Sequence, residues 1–433
     1  MSRVIVIGAG ASGLLAAGRA AGQGVETLVL EKMDRPGRKL CITGKGRCNL
    51  TNTALVEEFV ERFGRQGRFL RSAFSKLDNE ALRDFLDGLG VPTVVERGGR
   101  VFPESNDARE VVEALKRWAL GCGAAIRTRS AVEQLVIDQG RVNGVEVRSG
   151  ASGEAKAELL PADAVVLAAG GSSYPATGST GDGCRLAERA GHTVVPVRPG
   201  LVPLETEGDI APRLQGLSLR NVRLTLFVEG QKKQAAFGEL LFTHFGLSGP
   251  IGLTLSGQAV DGLRQGRRVT CSIDLKPALD EQKLDARLIR DFDEHGRQKL
   301  KNVLGGLLPA RLIPVCLERT GLPGERKANQ LSAAERTTLR CWLKDFRLQI
   351  TGCRSFDEAI ITQGGVSLKE VDPGTMQSKL VGGLYFAGEV LDLAADTGGF
   401  NLQAAFSTGW VAGTAAGRSL AESPASARRS RPI

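Results

Sequence analysis

The sequence predicts an α/β fold built on buried parallel strands, and three features predict it. Val4-Ile5-Val6-Ile7 is a short, wholly apolar, β-branched run, the pattern of a strand covered on both faces. It passes directly into Gly8-Ala9-Gly10-Ala11-Ser12-Gly13, after which Leu14-Leu15-Ala16-Ala17 opens a helix. Two apolar strands far down the chain, Ala164–Leu167 and Leu384–Ala387, also lead into glycines.

The first thirty residues carry the most specific signal. A turn at Gly22–Gly24 precedes a second strand, Thr27–Leu30, which ends in Glu31. This is G-x-G-x-x-G with a strand before it, a helix after it and an acid about 20 residues on. In that pattern Gly8 makes the tight turn, Gly10 lets backbone approach a pyrophosphate and Gly13 lets helix pack on strand. Ala11 and Ser12 open the helix, whose free N–H groups and dipole favour an anion. Glu31 suits a ribose 2′,3′-diol and disfavours a 2′-phosphate. The features together predict a Rossmann dinucleotide site, and the motif alone leaves FAD and NAD open.

Next comes GRKLCITGKGRCNLTN, Gly37–Asn52, with three glycines, four cations and no acid. Such a stretch suits neither a helix nor a strand and reads as a flexible cationic loop. Residues 124–147 alternate apolar and polar positions, with turn signals at Asp138–Gly140 and Asn143-Gly144, as a β-meander would. The strand Ala164–Leu167, followed by Ala168-Ala169-Gly170-Gly171, reads in isolation as a core strand with a turn.

The segment Gly382–Gly413 tips the choice toward a flavin. Leu384–Ala387 is a strand, Gly388-Glu389 ends it with an acid, and Thr397-Gly398-Gly399-Phe400-Asn401-Leu402-Gln403 leads into a small-residue helix from Ala404 to about Gly417. An acid at a strand end can bond a ribityl hydroxyl. A glycine-rich helix start can point N–H groups at the isoalloxazine pyrimidine edge, stabilising its negative charge by roughly 0.3–2 kcal/mol.

Through GKGRCNLTN, LLFTHFGLSGP (Leu240–Pro250), ITQGGV (Ile361–Val366), LYFAGEVLD and TGGFNLQ, the sequence resembles the bacterial YhiN/BaiN-like flavoproteins, also called the aminoacetone oxidase family of FAD-binding enzymes. The resemblance runs from Val4 to about Gly417. It implies a glutathione-reductase-like FAD domain built from residues 1–195 and 353–418, with a domain inserted at 196–352. The inserted domain would hold a β-barrel at about 200–275, where Leu217–Val228 alternates, and helices at about 276–346. Residues 419–433 read as a basic tail. The resemblance also assigns FAD contacts to Lys32, Gly37, Arg38, Lys39, Gly44, Arg47 and Asn49, to Val132, Ala169 and Gly170, and to Gly388, Glu389, Gly399, Phe400, Asn401 and Leu402. His244, in Thr-His-Phe-Gly, is the one candidate catalytic side chain, either donating a proton or binding a substrate carbonyl; the alternative is an anchor for its loop. Cys41 and Cys48 read as packing beside the cofactor, and Arg100 as either an anion contact or an ion-pair partner.

Composition removes several classes. No apolar run approaches the ~18 residues of a membrane helix, and the four-residue N-terminal run is too short for a signal peptide, so a cytoplasmic protein is expected. The eight cysteines show no C-x-x-C, and His192, His244 and His295 are scattered, which argues against a redox dithiol or a zinc site. The leading expectation is an FAD-dependent oxidoreductase acting on a small or medium organic molecule. It would either reduce an activated C=C bond or oxidise an amine with O₂. The absence of a second G-x-G-x-x-G predicts that any NADH or NADPH binds transiently. A net charge of +9 raises a flavin enzyme acting on RNA, but aromatics at 5% and no visible stripe of cations with aromatics argue against nucleic acid. A flavin-binding protein without turnover is the third reading.

Overall fold

A computed structural model describes residues 2–149 and 156–422, so most of the basic tail lies outside the described residues. The chain forms two compact units, Met1–Pro199 with Ala359–Ile433, and Gly200–Glu358.

The first unit is organised by a five-stranded parallel sheet. Its strands are β1 (Arg3–Ile7), β2 (Glu26–Leu30), β3 (Ala124–Arg127), β4 (Ala164–Leu167) and β5 (Leu384–Phe386). They lie in the order β5-β4-β1-β2-β3, every neighbouring pair parallel. Ile5 faces Val165 on one side and Leu28 on the other. Val4, Ile5, Val6, Val165 and Val166 are fully buried, which is why these strands read as unbroken apolar runs. Strand order reverses at the β1/β4 pair, the position where such sheets open a crevice beyond the strands' carboxyl ends.

The chain ends are locked together by two helices, α1 (Ala11–Ala21) and α2 (Phe400–Ala421). Gly409, Gly413 and Gly417, four residues apart, share one face of α2. A Cβ at Gly409 would lie 2.2 Å from the Ser12 carbonyl oxygen, and one at Gly413 would lie 2.2 Å from that of Ala16. At Gly417 the corresponding approach to Ala20 O is 3.0 Å. Only the lack of side chains allows the helices to meet at this distance. α2 begins at Phe400, one turn earlier than the small-residue run suggests, because Gly399 at φ +100° turns the chain directly into it.

The meander runs later than 124–147 suggested: Ala124–Arg127 is β3 of the parallel sheet, and the antiparallel sheet is Ser130–Asp138, Arg141–Ser149 and Lys156–Pro161. Gln139 and Gly140, both with positive φ, form its first turn. Asn143-Gly144 is not a turn. Gly144 lies inside the second strand, where the register shifts between Val136 and Ile137. A Cβ there would come within 2.5 Å of Leu160 O, so close approach of the third strand explains the glycine.

The second unit contains a closed six-stranded barrel. Its strands, in order around the barrel, are Leu204–Thr206, Gly246–Ser248, Gln231–Phe242, Ser218–Val228, Val269–Asp274 and Phe346–Cys353. The barrel is therefore not confined to about 200–275. Its closing strand follows the helices Glu281–Glu294, Leu312–Thr320 and Ala333–Lys344. Phe346, Leu348 and Ile350 alternate inward there, with Leu348 opposite Cys271.

Two outcomes follow from this packing. Gly413→Ala places a methyl against helix backbone that has no free rotamer to yield. It should lower unfolding free energy by about 1–3 kcal/mol, measured by denaturant titration. The second concerns His192, buried edge-on against Phe386. Ser378 Oγ accepts from Leu380 N (3.0 Å) and Val381 N (2.8 Å), so it donates its own proton to His192 Nε2 at 2.9 Å. Nδ1 then carries the ring proton, 3.4 Å from Glu370 Oε2. Burial pushes the His192 pKa below its ordinary value, opposed by Glu370. The unfolded chain therefore binds a proton that the native ring refuses, and stability contributed by neutral His192 is lost as pH falls below about 6.5. The denaturation midpoint should drop between pH 7.5 and 5.5, and His192→Gln should flatten that dependence.

Candidate functional site

The site grows from the turn after β1. Gly8 has φ +98°, donates its N–H to Leu30 O at 2.8 Å, and would put a Cβ 2.6 Å from Ala168 O, so only glycine fits between β1, β2 and β4. A Cβ on Gly13 would lie 1.9 Å from Gly8 O, which is how α1 packs onto the turn. Gly10 differs. It caps α1 without a side-chain bond, and among the described residues no atom beyond its chain neighbours lies within 4 Å of its Cβ position. The helix start thus presents backbone N–H groups to open space, a cradle fitted to a pyrophosphate. Ala11 is half-buried, and Ser12 is buried, its Oγ 3.4 Å from Ala387 O.

Glu31 ends β2 beside that cradle. Its Oε2 accepts from Ala9 N and its Oε1 from Met33 N, both at 2.8 Å. Each oxygen keeps a lone pair for a ribose hydroxyl. Arg129 N and Ser130 N donate to Met33 O and Glu31 O at 2.9 Å, which brings the strand carrying Val132 alongside.

Gly37–Asn52 is not an open loop. Gly37, at φ +68°, donates to Ala9 O at 2.9 Å and starts a short helix, Arg38–Ile42. Gly44 and Lys45 then take left-handed conformations in a tight turn. Three of the four cations that gave this stretch its character, Arg38, Lys39 and Arg47, have carboxylate partners within the protein. Arg38 pairs with Asp34 at 3.2 Å, and Arg47 with Glu96, the Arg47 guanidinium stacking 4.1 Å over Phe102. Arg100 also pairs with Glu96, at 3.5 Å. Just upstream, Lys32 binds Asp182 and Thr180. Lys45 is exposed. Cys48 is buried, and burial pushes its thiol up to about 12, so it stays protonated and packs rather than reacts.

Lys39 and Glu389 carry the geometry that joins the site. Lys39 Nζ lies 2.5 Å from Glu389 Oε2 and 2.6 Å from Ser173 Oγ. Glu389 Oε1 accepts from Thr362 N at 2.7 Å and Ser173 Oγ at 3.2 Å, and Oε2 from Gly171 N at 3.4 Å. Thr362 Oγ1 in turn accepts from Ser172 N at 2.7 Å and Ser173 N at 3.1 Å. Sequence reasoning missed Ser173 and Thr362. Thr362 lies inside ITQGGV, which marked its segment without revealing the role. Ala169 and Gly170 precede this cluster, Gly170 at φ +72°.

The second helix start completes the arrangement. Gly388 N donates to Thr408 Oγ1 at 3.0 Å, and a Cβ at Gly388 would lie 2.5 Å from Ser12 Oγ. Gly399 has room for no Cβ, its position being 2.2 Å from Thr51 O. Asn49, with its amide nitrogen toward Thr51 O (3.2 Å), accepts from Gly399 N at 3.1 Å. Phe400 is buried edge-on against Phe59, Leu402 is half-buried, and Asn401 bonds Ala395 N and O at 2.9 Å, fixing the loop ahead of the helix. His244 belongs to the barrel unit, exposed and 4.9 Å edge-on to Phe245; its part in catalysis stays a proposal.

The donor set fits FAD: an open helix start for the pyrophosphate, a strand-end carboxylate for the ribose, and a second helix start near an acid. FAD bound here would supply two-electron transfer to or from an organic substrate. Glu389→Ala removes the carboxylate that unites three strand ends and leaves Lys39 uncompensated. The purified variant should lose bound flavin, with FAD affinity reduced by on the order of tenfold or more, measured by fluorescence titration of the apoprotein.

A family model described as the HI0933-like protein Rossmann domain matches residues 2–415. The chain is 32% identical over 418 residues to the 3-dehydro-bile acid delta(4,6)-reductase of Clostridium scindens, covering 96% of this chain and 99% of the relative. It is 30% identical over 407 residues to the ribosomal RNA dihydrouridine synthase of Escherichia coli K12, covering 94% and 96%. Among solved structures, the open conformation of a flavocytochrome c3 fumarate reductase superposes with a TM-score of 0.55 at 18% identity, over 98% of this chain and 79% of the other, a likeness of fold.

Proposed function

The chain belongs to the HI0933-like Rossmann family and is an FAD-dependent oxidoreductase, and we propose that it reduces a C=C bond conjugated to a carbonyl, with NADH or NADPH as electron donor. One observation carries this reading. Two relatives matched over nearly their whole length have unlike substrates in their names, yet both names denote saturation of the same kind of bond. A Δ4,6-3-dehydro steroid and a uracil ring each present an alkene polarised by a neighbouring carbonyl. Such an alkene accepts hydride at one carbon and a proton at the next. The protein's share is to hold the cofactor, exclude water and supply that proton. Amine oxidation has no comparable support.

A specific surface supports the ribosomal RNA version of the substrate. In the barrel unit, Arg220 and Arg223 on one strand and Lys232 and Lys233 on its hairpin partner are all exposed. The register sets Arg223 opposite Phe237, which is 60% exposed. A cation opposite an exposed ring, on a hairpin carrying further exposed cations, suits stacking of single-stranded nucleic acid. The sequence hid this pairing because the two residues meet only through the hairpin.

Anaerobic spectroscopy tests both levels. NADH or NADPH should bleach the oxidised flavin spectrum, and a conjugated enone or unmodified ribosomal RNA should restore it. Restoration by RNA with a two-mass-unit gain at uridine would select the RNA substrate; restoration by the enone alone would select a small molecule. Bleaching by an amine, with no response to either nicotinamide, would overturn the proposal.

A further inference from the structure

The proposed reduction requires an acid, and the loop Leu391–Gly398 offers one. It joins the two points at which the C-terminal segment meets the cofactor site, Gly388-Glu389 and Gly399. Resting on the reduction reading, we propose that Asp392 is the catalytic acid that protonates the substrate carbon next to the carbonyl.

The placement is firm. Asp392 N donates to Val366 O at 3.1 Å, and Gly365 packs so closely that its Cβ position lies 2.6 Å from Val390 O. Further along, Asn401 grips Ala395, and Arg62 pairs with Asp396 at 3.6 Å. The carboxyl group is half-buried, so water can reach it to restore a proton. Its direct side-chain partner is a neutral amide, Gln66 Nε2, at 3.0 Å to Oδ2. The charged and polar groups facing it are Gln66 from Gly64–Leu70, Arg198 from Val194–Gly200 and the Gly364 N–H from Ile361–Val366.

Other acids nearby fit the task less well. Glu389 is engaged by Lys39 and three further donors, and Asp396, also raised by burial, is bound directly by the Arg62 cation, whereas the side-chain hydrogen bond to Asp392 comes from a neutral amide. Burial pushes the Asp392 carboxyl above the usual carboxylate range, with Gln66, Arg198 and Gly364 opposing. An acid so displaced retains more of its proton toward neutral pH.

The step balances. The alkene carbon remote from the carbonyl gains a hydride that originates in NADH or NADPH, and the carbon beside the carbonyl gains the Asp392 proton. The carboxyl O–H breaks, its electron pair stays on the carboxylate, and water reprotonates it.

Stopped-flow half-reactions on the flavin-loaded protein test the role. In Asp392→Asn, NADPH should bleach flavin at a rate within about twofold of wild type, whereas reoxidation by the acceptor should slow by about a hundredfold, the range of a lost general acid. The wild-type reoxidation rate should fall as pH rises, Asp392→Glu should keep that descending limb, and Asp392→Asn should lose it. Infrared difference spectra of wild type minus Asp392→Asn, without substrate, should show a carboxyl band that is lost with rising pH above the usual carboxylate range. Equal reoxidation in wild type and Asp392→Asn, or no such band in the difference, overturns the assignment of Asp392 alone. If wild-type reduced protein transfers nothing to either acceptor, the reduction reading falls and this role falls with it.

Discussion

The ion pair between Lys39 and Glu389 is the contact on which the site depends. It joins residues 350 positions apart and draws in Gly171, Ser173 and Thr362, so that segments following β2, β4 and β5 and the strand Ile361–Val366 all meet at one carboxylate. Exposed ion pairs contribute little, about 0–1 kcal/mol. This one is about four-fifths buried on both sides and is embedded in further hydrogen bonds. Removing one partner therefore costs more than the pair itself contributes, because it leaves a shielded charge without compensation.

That convergence relies on the close contact of α1 with α2. Three glycines on α2 let its backbone rest against Ser12, Ala16 and Ala20 of α1, and the same approach leaves no room for a Cβ at Gly388 against Ser12. The helix that starts the dinucleotide cradle and the helix that starts near the flavin end are thus fixed by one interface. A shift in the helix pair would move both N-termini at once, so the site's precision is a packing property as much as a hydrogen-bonding one.

The charge of the molecule is distributed in two ways. Around the cofactor site the cations are spent on structure, Lys32 on Asp182, Arg47 and Arg100 on Glu96, and Lys39 on Glu389. The cradle that remains at Gly10 works through backbone N–H groups rather than side-chain charge. On the barrel hairpin, by contrast, Arg220, Arg223, Lys232 and Lys233 stand exposed, Arg223 opposite Phe237. A net charge of +9 could not tell these two uses apart.

The sequence by itself determined what depends on local chain geometry. The strand–glycine–helix start, Glu31 at the end of β2, the strands β4 and β5 and the Rossmann class were legible because steric rules and period-two burial act within a few residues. Gly8, Gly10 and Gly13 even declared their separate roles. Tertiary structure alone decided the rest. It folded the cationic stretch Gly37–Asn52 into a short helix and a tight turn with three of its four cations paired, made Gly144 a close-approach position rather than a turn, and closed the barrel with Phe346–Cys353. It also brought Ser173 and Thr362 to Glu389 from distant segments. Each of these depends on which partner a residue meets across a long sequence separation, and hydrophobic period and local propensity carry no record of that partner.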